Sequence, residues 1–363
     1  MIPIFDTQLS SKAKKNVVEC LKSGWISSQG KFVLKFEESL KKFFKMKYCL
    51  VTSNCTTALH LSILSLDLKK GDEIICPALS FIAPANMILL SGAKLVLVDI
   101  DKDTLTIDPQ KLKKRITSRT KAVMVVHQFG HAAHMDEIMS LARKFNLKVI
   151  EDNAESIGGK YKNKLLGTFG DVSTLSFFAN KIITTGEGGA ILTNSKKKYL
   201  QMKEMRDHGM NINKKYHHTR IGFNYRMTNM QAAIGCDQIN NLKKILKKRE
   251  KIEQYYYENL KSIKKINLRK YKDWCTPVSW LVTFTFIKKG LRDRFINFLK
   301  KNQIDGRQMI NPINDANHIK NKIKEKFMIS RKVSYNSAHL PSGINLNKQQ
   351  INLICDKLKL FLK

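Results

Sequence analysis

Lys181 stands in a setting unlike that of the other basic residues of this chain. A short apolar run, Val172–Ser176, leads through Phe177 and Phe178 to Lys181, and a glycine-rich turn, Gly186-Glu-Gly-Gly189, precedes a second apolar run at Ala190–Thr193. A lysine in partly dry, apolar surroundings loses its proton more readily, because desolvation disfavours the ammonium form. Such an amine can attack a carbonyl and form a Schiff base, the usual task of a lysine that holds pyridoxal phosphate. A solvent-facing lysine in a hairpin is the competing account of this stretch by itself.

Other residues could complete that chemistry. Glu151-Asp152-Asn-Ala-Glu155 follows an apolar run directly. A carboxylate placed there either caps the next helix or keeps a pyridine nitrogen protonated, so that the ring can accept electrons. Ser53-Asn-Cys-Thr-Thr57 opens a helical pattern. Small hydroxyl residues at a helix N-terminus cradle phosphate through free N–H groups and the helix dipole, or simply cap the helix. Phe81 is placed to stack on a planar ring or to join the core. His127, His131 and His134 have spacing suggestive of metal ligands, but Gly130 breaks any helix between the first two and no carboxylate or cysteine nearby completes a set, so no metal site is expected. The turn at Gly186–Gly189 is not a P-loop, since no Gly-Lys-Ser/Thr follows.

The elements that must position these residues are legible as an alternation. Strands are expected at 48–52, 73–76, 94–98, 122–126 and 147–150, with helices at 56–64, 84–90 and 135–145 between them. Continuous apolar strands separated by helices imply a mostly parallel sheet covered on both faces. Ligands in such sheets lie beyond the carboxyl ends of the strands, where the residues named above fall. Residues 1–45 read as an arm plus helices. After about residue 235 the texture changes to a long basic helix (231–260), a β-prone segment (278–286), an amphipathic helix (292–302) and a C-terminal helix (348–362). The expected division is a large α/β domain with its arm (1–240) and a smaller α+β domain (241–363).

The hydrophobic fraction, 43%, is that of a globular protein and argues against disorder. Seven scattered cysteines with no Cys-x-x-Cys pair fit a reducing cytoplasm better than a disulfide framework. No apolar stretch approaches the ~20 residues needed to span a bilayer, and no signal-peptide pattern opens the chain. The formal charge of +35 raises the question of nucleic-acid binding. Yet the lysines are spread along helix surfaces (Lys243, Lys244, Lys247, Lys248, Lys251), and no nucleic-acid module accompanies them. A general lysine bias, or attraction for an anionic substrate, accounts for the charge more simply.

Taken together, these segments resemble the DegT/DnrJ/EryC1/StrS sugar aminotransferases, fold-type I enzymes dependent on pyridoxal phosphate. The likeness rests on Gly24-Trp-Ile-Ser-Ser28, 54–59, 71–77, Asn86, Val98-Asp99 and Glu151-Asp152. It continues through 167–171, 176–189, Gly222-Phe-Asn-Tyr-Arg-Met227 and Leu340-Pro-Ser342. The 176–189 stretch and the Asn224–Asn229 run are most similar to the branch that makes GDP-perosamine.

The resemblance implies a role for each site residue. Lys181 would bond to the cofactor and later shuttle a proton to and from the substrate carbon. Asp152 would bind the pyridine nitrogen, Glu155 would lie near the ring hydroxyl and Phe81 would stack on the ring. Thr56, Thr57 and Ser176 would hold the phosphate, with Asn224 reaching it from the neighbouring subunit of a homodimer with shared active sites. Trp25, Ser28, His208, Tyr216 and Arg307 would lie toward the nucleotide sugar. The implied reaction is ping-pong. L-glutamate converts the cofactor to pyridoxamine phosphate, which then aminates GDP-4-keto-6-deoxy-D-mannose at C4. A dehydratase branch carries histidine in place of the lysine, so Lys181 points to amino transfer. Three positions depart from the family pattern: Cys55 replaces a usual glycine, His131 a frequent glutamine, and Asp305–Pro312 matches only loosely a segment near the sugar. A UDP- or dTDP-linked keto sugar is therefore the rival substrate. A basic binding or regulatory protein on the same fold is the non-enzymatic alternative.

Overall fold

The computed structural model describes all residues, 1–363. Seven strands form the central sheet: β1 (Tyr48–Thr52), β2 (Glu73–Pro77), β3 (Lys94–Val98), β4 (Thr120–Val126), β5 (Lys148–Asp152), β8 (Val172–Ser176) and β9 (Gly189–Thr193). Two short strands, β6 (Lys160–Tyr161) and β7 (Lys164–Leu165), lie between β5 and β8 in sequence and pair with each other, and β6 also pairs with β11 (Cys275–Thr276). The order across the central sheet is β1-β9-β8-β5-β4-β2-β3.

Adjacent strands are parallel except at β9, which runs antiparallel to both β1 and β8. The glycine-rich turn explains this exception, because it sends the chain straight back beside β8 and not through a crossover helix. The carboxyl ends of β1, β2, β4, β5 and β8 therefore share one edge of the sheet, and β9 begins at that same edge. β2, β4, β8 and β9 are buried almost throughout, as expected of strands covered on both faces.

A second sheet of four antiparallel strands, in the order β10-β12-β14-β13, is built from β10 (Ile266–Leu268), β12 (Val282–Phe286), β13 (Arg307–Gln308) and β14 (Ser337–Leu340). Phe284, Phe286 and Phe295 make an edge-to-face cluster on it, closed by the C-terminal helix Lys348–Leu362. No helix is long and apolar enough to cross a membrane.

Two expected elements differ from those observed. The helix expected over 231–260 is two helices, Asn229–Asn240 and Leu242–Leu260, interrupted at Asn241. Asn241 sits at φ −92°, ψ 0°, and its side-chain amide bonds back to the Asp237 carbonyl. That local bond competes with the helical ladder, which is why asparagine marks the break. The β-prone segment 278–286 is a strand only from Val282. Its first part is held by side-chain and carbonyl contacts to the large sheet's loops, with Val278 N–H donating to Gly130 O at 2.9 Å.

Candidate active site

The loop between β8 and β9 carries Lys181 over the shared edge. The side chain is 13% exposed, and its Nζ lies 3.5 Å from Glu155 Oε1 and 3.9 Å from the centre of the Trp280 ring. Glu155 belongs to the turn after β5. Its other oxygen accepts the Phe129 N–H at 2.7 Å. Burial pushes the Glu155 carboxyl upward, and the neighbouring lysine pulls it back.

Asp152 is the last residue of β5 and 5% exposed. Burial raises its carboxyl from 3.8 to about 6, assisted by the Glu155 charge and opposed by the Ala154 N–H and Lys181. That N–H bonds Asp152 Oδ1 at 3.0 Å. The preceding Glu151 points to the opposite face, as strand alternation requires. It accepts the N–H groups of Gly167, Phe169 and Gly170 and sits 3.0 Å from His127 Nε2. Ala133 N–H donates to His127 Nδ1, so the proton lies on Nε2 and is directed at Glu151. The adjacent acids thus divide their work: Glu151 braces the strand end, and Asp152 is left facing the site.

Beyond β1, the helix Cys55–Leu64 begins with a capping box. Asn54 Oδ1 accepts Thr57 N–H at 2.9 Å, and the Thr57 hydroxyl donates to Asn54 O at 2.8 Å. The Thr57 hydroxyl expected at a phosphate is therefore already engaged in the cap. The Thr56 side chain makes no hydrogen bond within the chain, and the N–H groups of Cys55 and Thr56 lack backbone acceptors. Gly189 packs on this turn so closely that a Cβ would fall 2.5 Å from the Asn54 carbonyl. Ser176 pairs with Gly189 in the strand register, beside the same turn, and its Oγ accepts the Phe178 N–H at 3.4 Å. Cys55, the first residue of this helix, is half-buried.

These features fit a phosphorylated aldehyde cofactor of the pyridoxal phosphate type: free N–H donors at a helix N-terminus, a glycine kept bare by close approach, a buried acid and an amine between them.

The other expected residues are not joined directly to Lys181 in the single chain. Phe81 follows β2 on the same edge but is 62% exposed, and no hydrogen bond, ion pair or aromatic contact joins it to Lys181. The same holds for Trp25 (59% exposed), Ser28, His208, Tyr216 (87% exposed), Asn224 and Arg307. Asn224 bridges Asp207 at the base of a paired excursion, residues 207–224, whose neighbouring Tyr225 carbonyl accepts Ser53 N–H. Of the three histidines with metal-like spacing, His127 serves Glu151. His131 Nδ1 donates to Ala132 O while its Nε2 accepts Lys272 N–H.

Sequence reasoning missed Trp280, Phe129 and Arg269. Trp280 faces Lys181 and donates its indole N–H to Asn180 O at 2.7 Å, stacked nearly parallel to Phe129. Phe129 adopts φ 50°, ψ 35° although it is not glycine, a left-handed conformation that costs on the order of 1–2 kcal/mol. Such strain collects at working sites. The only sequence signal for Phe129 was its place just after β4, adjoining Gly130.

A seven-stranded sheet with a lysine loop, a buried acid and a phosphate-type helix N-terminus along one edge defines a cofactor-dependent enzyme site. The chain belongs to the DegT/DnrJ/EryC1/StrS aminotransferase family, whose model matches residues 7–359. It is 38% identical to the GDP-perosamine synthase of Escherichia coli O157:H7, over 99% of this chain and 98% of that one. Among solved structures it resembles Helicobacter pylori PseC, an aminotransferase involved in the biosynthesis of pseudoaminic acid. The TM-score is 0.93 at 28% identity, covering 99% of this chain and 98% of that chain. It also resembles a GDP-4-keto-6-deoxymannose-3-dehydratase solved with a trapped PLP–glutamate geminal diamine, with TM-score 0.92 at 26% identity, over 99% and 100% of the two chains.

Proposed function

We propose that this chain is a pyridoxal phosphate-dependent 4-aminotransferase that moves the amino group of L-glutamate onto GDP-4-keto-6-deoxy-D-mannose, giving GDP-perosamine and 2-oxoglutarate. The observation that carries this reading is a half-buried lysine between Glu155 and Trp280, on the sheet edge where Asp152 is buried at the end of β5. Its cofactor is pyridoxal phosphate. When bound, the cofactor supplies an aldehyde that exchanges amino groups and a ring that accepts the electrons of the breaking bond.

The chain's own residues do the rest. Lys181 anchors the cofactor, then takes the proton from the glutamate α-carbon at its Nζ. In the second half-reaction it returns a proton to C4 of the sugar. Asp152, ionised at neutral pH because its carboxyl titrates near 6, holds a proton on the ring nitrogen. Glu155 orients the lysine and would meet the ring hydroxyl of the bound cofactor. Thr56, Ser176 and the free N–H groups at Cys55 and Thr56 hold the phosphate; Thr57 contributes by fixing the turn. Phe81, exposed just after β2, would cover the ring face.

The reading includes a homodimer in which Asn224 serves the partner's phosphate, and in which Trp25, Ser28, His208, Tyr216 and Arg307 face the nucleotide sugar. It is supported by Tyr216, Phe81 and Trp25 being exposed in the single chain and so open to a ligand or a second subunit. It also includes a cytoplasmic location, supported by seven free cysteines, and a division into units 1–240 and 241–363.

Incubating the protein with glutamate and, separately, GDP-, UDP- and dTDP-linked 4-keto-6-deoxy sugars tests the proposal. The GDP sugar is expected to yield the amino sugar fastest, and preferential amination of either of the others overturns the choice of nucleotide. Lys181→Ala should remove both the product and the visible absorbance of the lysine-bound cofactor. A colourless wild type, even with added pyridoxal phosphate, contradicts the whole reading.

A further inference from the structure

Lys181 is held by Glu155, and Glu155 is held by a peptide that is itself under restraint. The Phe129 N–H donates to Glu155 Oε2 at 2.7 Å, while the Phe129 carbonyl accepts from Arg269 Nη1. The second guanidinium nitrogen, Nη2, donates to Gln128 O at 2.8 Å and to Thr104 O at 3.2 Å. Three carbonyls from two loops thus converge on one planar cation, a geometry that the guanidinium fork satisfies and an ammonium cannot. Between these grips Phe129 is kept at φ 50°, with its ring stacked on Trp280 and tilted against His339. Arg269 lies 140 residues along the chain from Phe129, just after β10, so the restraint arrives from the second sheet.

We infer that Arg269 is a positioning residue for the active-site amine: by holding the left-handed Phe129 peptide it fixes Glu155, and through Glu155 the direction in which Lys181 Nζ meets the cofactor aldehyde. The inference rests on the cofactor reading given above. Arg269 touches neither cofactor nor substrate in this scheme. Without it, the Phe129 peptide is free to relax toward the right-handed region, turning its N–H away from Glu155. The phosphate cradle at Thr56, Ser176 and Gly189 lies on the helix after β1 and on β8 and β9, and is unaffected.

The experiment uses purified full-length protein stripped of cofactor. Stopped-flow absorbance follows the condensation of added pyridoxal phosphate with Lys181. Calorimetry measures binding of pyridoxamine phosphate, which has no aldehyde and does not bond to the lysine. For Arg269→Gln the condensation rate is expected to fall about 10-fold or more, the scale of a small misplacement of a reacting group. The pyridoxamine phosphate dissociation constant should stay within about 2-fold, since its grip lies elsewhere. Glu155→Gln should slow condensation similarly, and the double variant should be no slower than the slower single variant, because the two act in series.

Lys270→Gln, the exposed neighbour, serves as the control and should condense at the wild-type rate. If Arg269→Gln does not fold, Arg269→Lys keeps the charge but loses the fork and carries the same expectation. Wild-type condensation by the variants overturns the inference, as does equal weakening of both ligands or strict additivity with Glu155→Gln. A wild type that never condenses with pyridoxal phosphate overturns the cofactor reading together with it.

Discussion

Replacing Asp152 by asparagine should have opposite effects on stability and on catalysis, and the stability effect can be worked from the site. The carboxyl is 5% exposed and titrates at about 6, against 3.8 for an ordinary aspartate. An acid raised in the folded state binds its proton more tightly when folded, so folding is least penalised below pH 3.8, where the group is neutral in both states. The penalty grows as pH rises from about 4 to about 6 and is constant above that. At 1.36 kcal/mol per pH unit it reaches about 3 kcal/mol at neutral pH. Asparagine removes that cost and keeps an oxygen for the Ala154 N–H. Cofactor-free Asp152→Asn should therefore melt roughly 3–6 °C above the wild type at pH 7.5, with the gap closing toward pH 4. Loaded with pyridoxal phosphate, the same variant should lose activity by ~10²-fold or more, since a neutral amide no longer keeps the ring nitrogen protonated. Paired thermal melts across pH, with and without cofactor, check both signs. A cofactor-free variant no more stable than wild type at pH 7.5 would refute the burial argument.

Gly189→Ala places a methyl 2.5 Å from the Asn54 carbonyl and 2.7 Å from Cys55 N, so cofactor affinity measured by absorbance titration should fall ~10-fold or more. Unchanged affinity would show that the turn yields freely. His131 is wholly buried and its imidazole is held down to about 3. A histidine lowered in this way contributes stability above pH 6.5 that is lost as pH falls toward 3. Denaturant melts should then show the wild type losing about 2 kcal/mol more than His131→Gln between pH 6.5 and 5. Parallel losses in the two proteins would discount the histidine. If the proposed homodimer shares its sites, Lys181→Ala and Asn224→Ala should each be nearly inactive alone. Subunit mixtures should regain activity, because a hybrid dimer contains one site with both residues intact; no recovery on mixing would place Asn224 outside the partner's site.

Much of the cofactor side of the site was legible in the sequence because it depends on local pattern. Apolar runs located β1, β2, β4, β5 and β8, and the polar residues just past them are those the structure gathers on one edge. The glycine-rich turn announced a reversal, although the antiparallel placement of β9 between β1 and β8 follows from pairing across the sheet and has no local signature. The break at Asn241 was hidden by an unbroken helical periodicity on either side. Trp280 and Arg269 were invisible for a different reason. Their partners, Asn180 and Phe129, are 100 and 140 residues away, and neither spacing nor type marks a residue whose purpose is to hold another residue's peptide. The division between Glu151 and Asp152 was available in principle, since alternation along a strand forces neighbours to opposite faces.

The return of β9 to the edge that β8 leaves has a consequence for how such a protein can change. The segment from Phe177 to Gly188 is a chord tied at both ends into the sheet, and Gly189, its far anchor, is wedged against the turn at Asn54. Lengthening or shortening the chord by one residue would shift the amine and the wedge together, so the two cannot drift apart over generations. Diversification is thereby channelled to the exposed side chains of the excursion short of Asn224 and of the Trp25 turn, where exchange would alter what the site accepts while the lysine loop and its wedge stay in place.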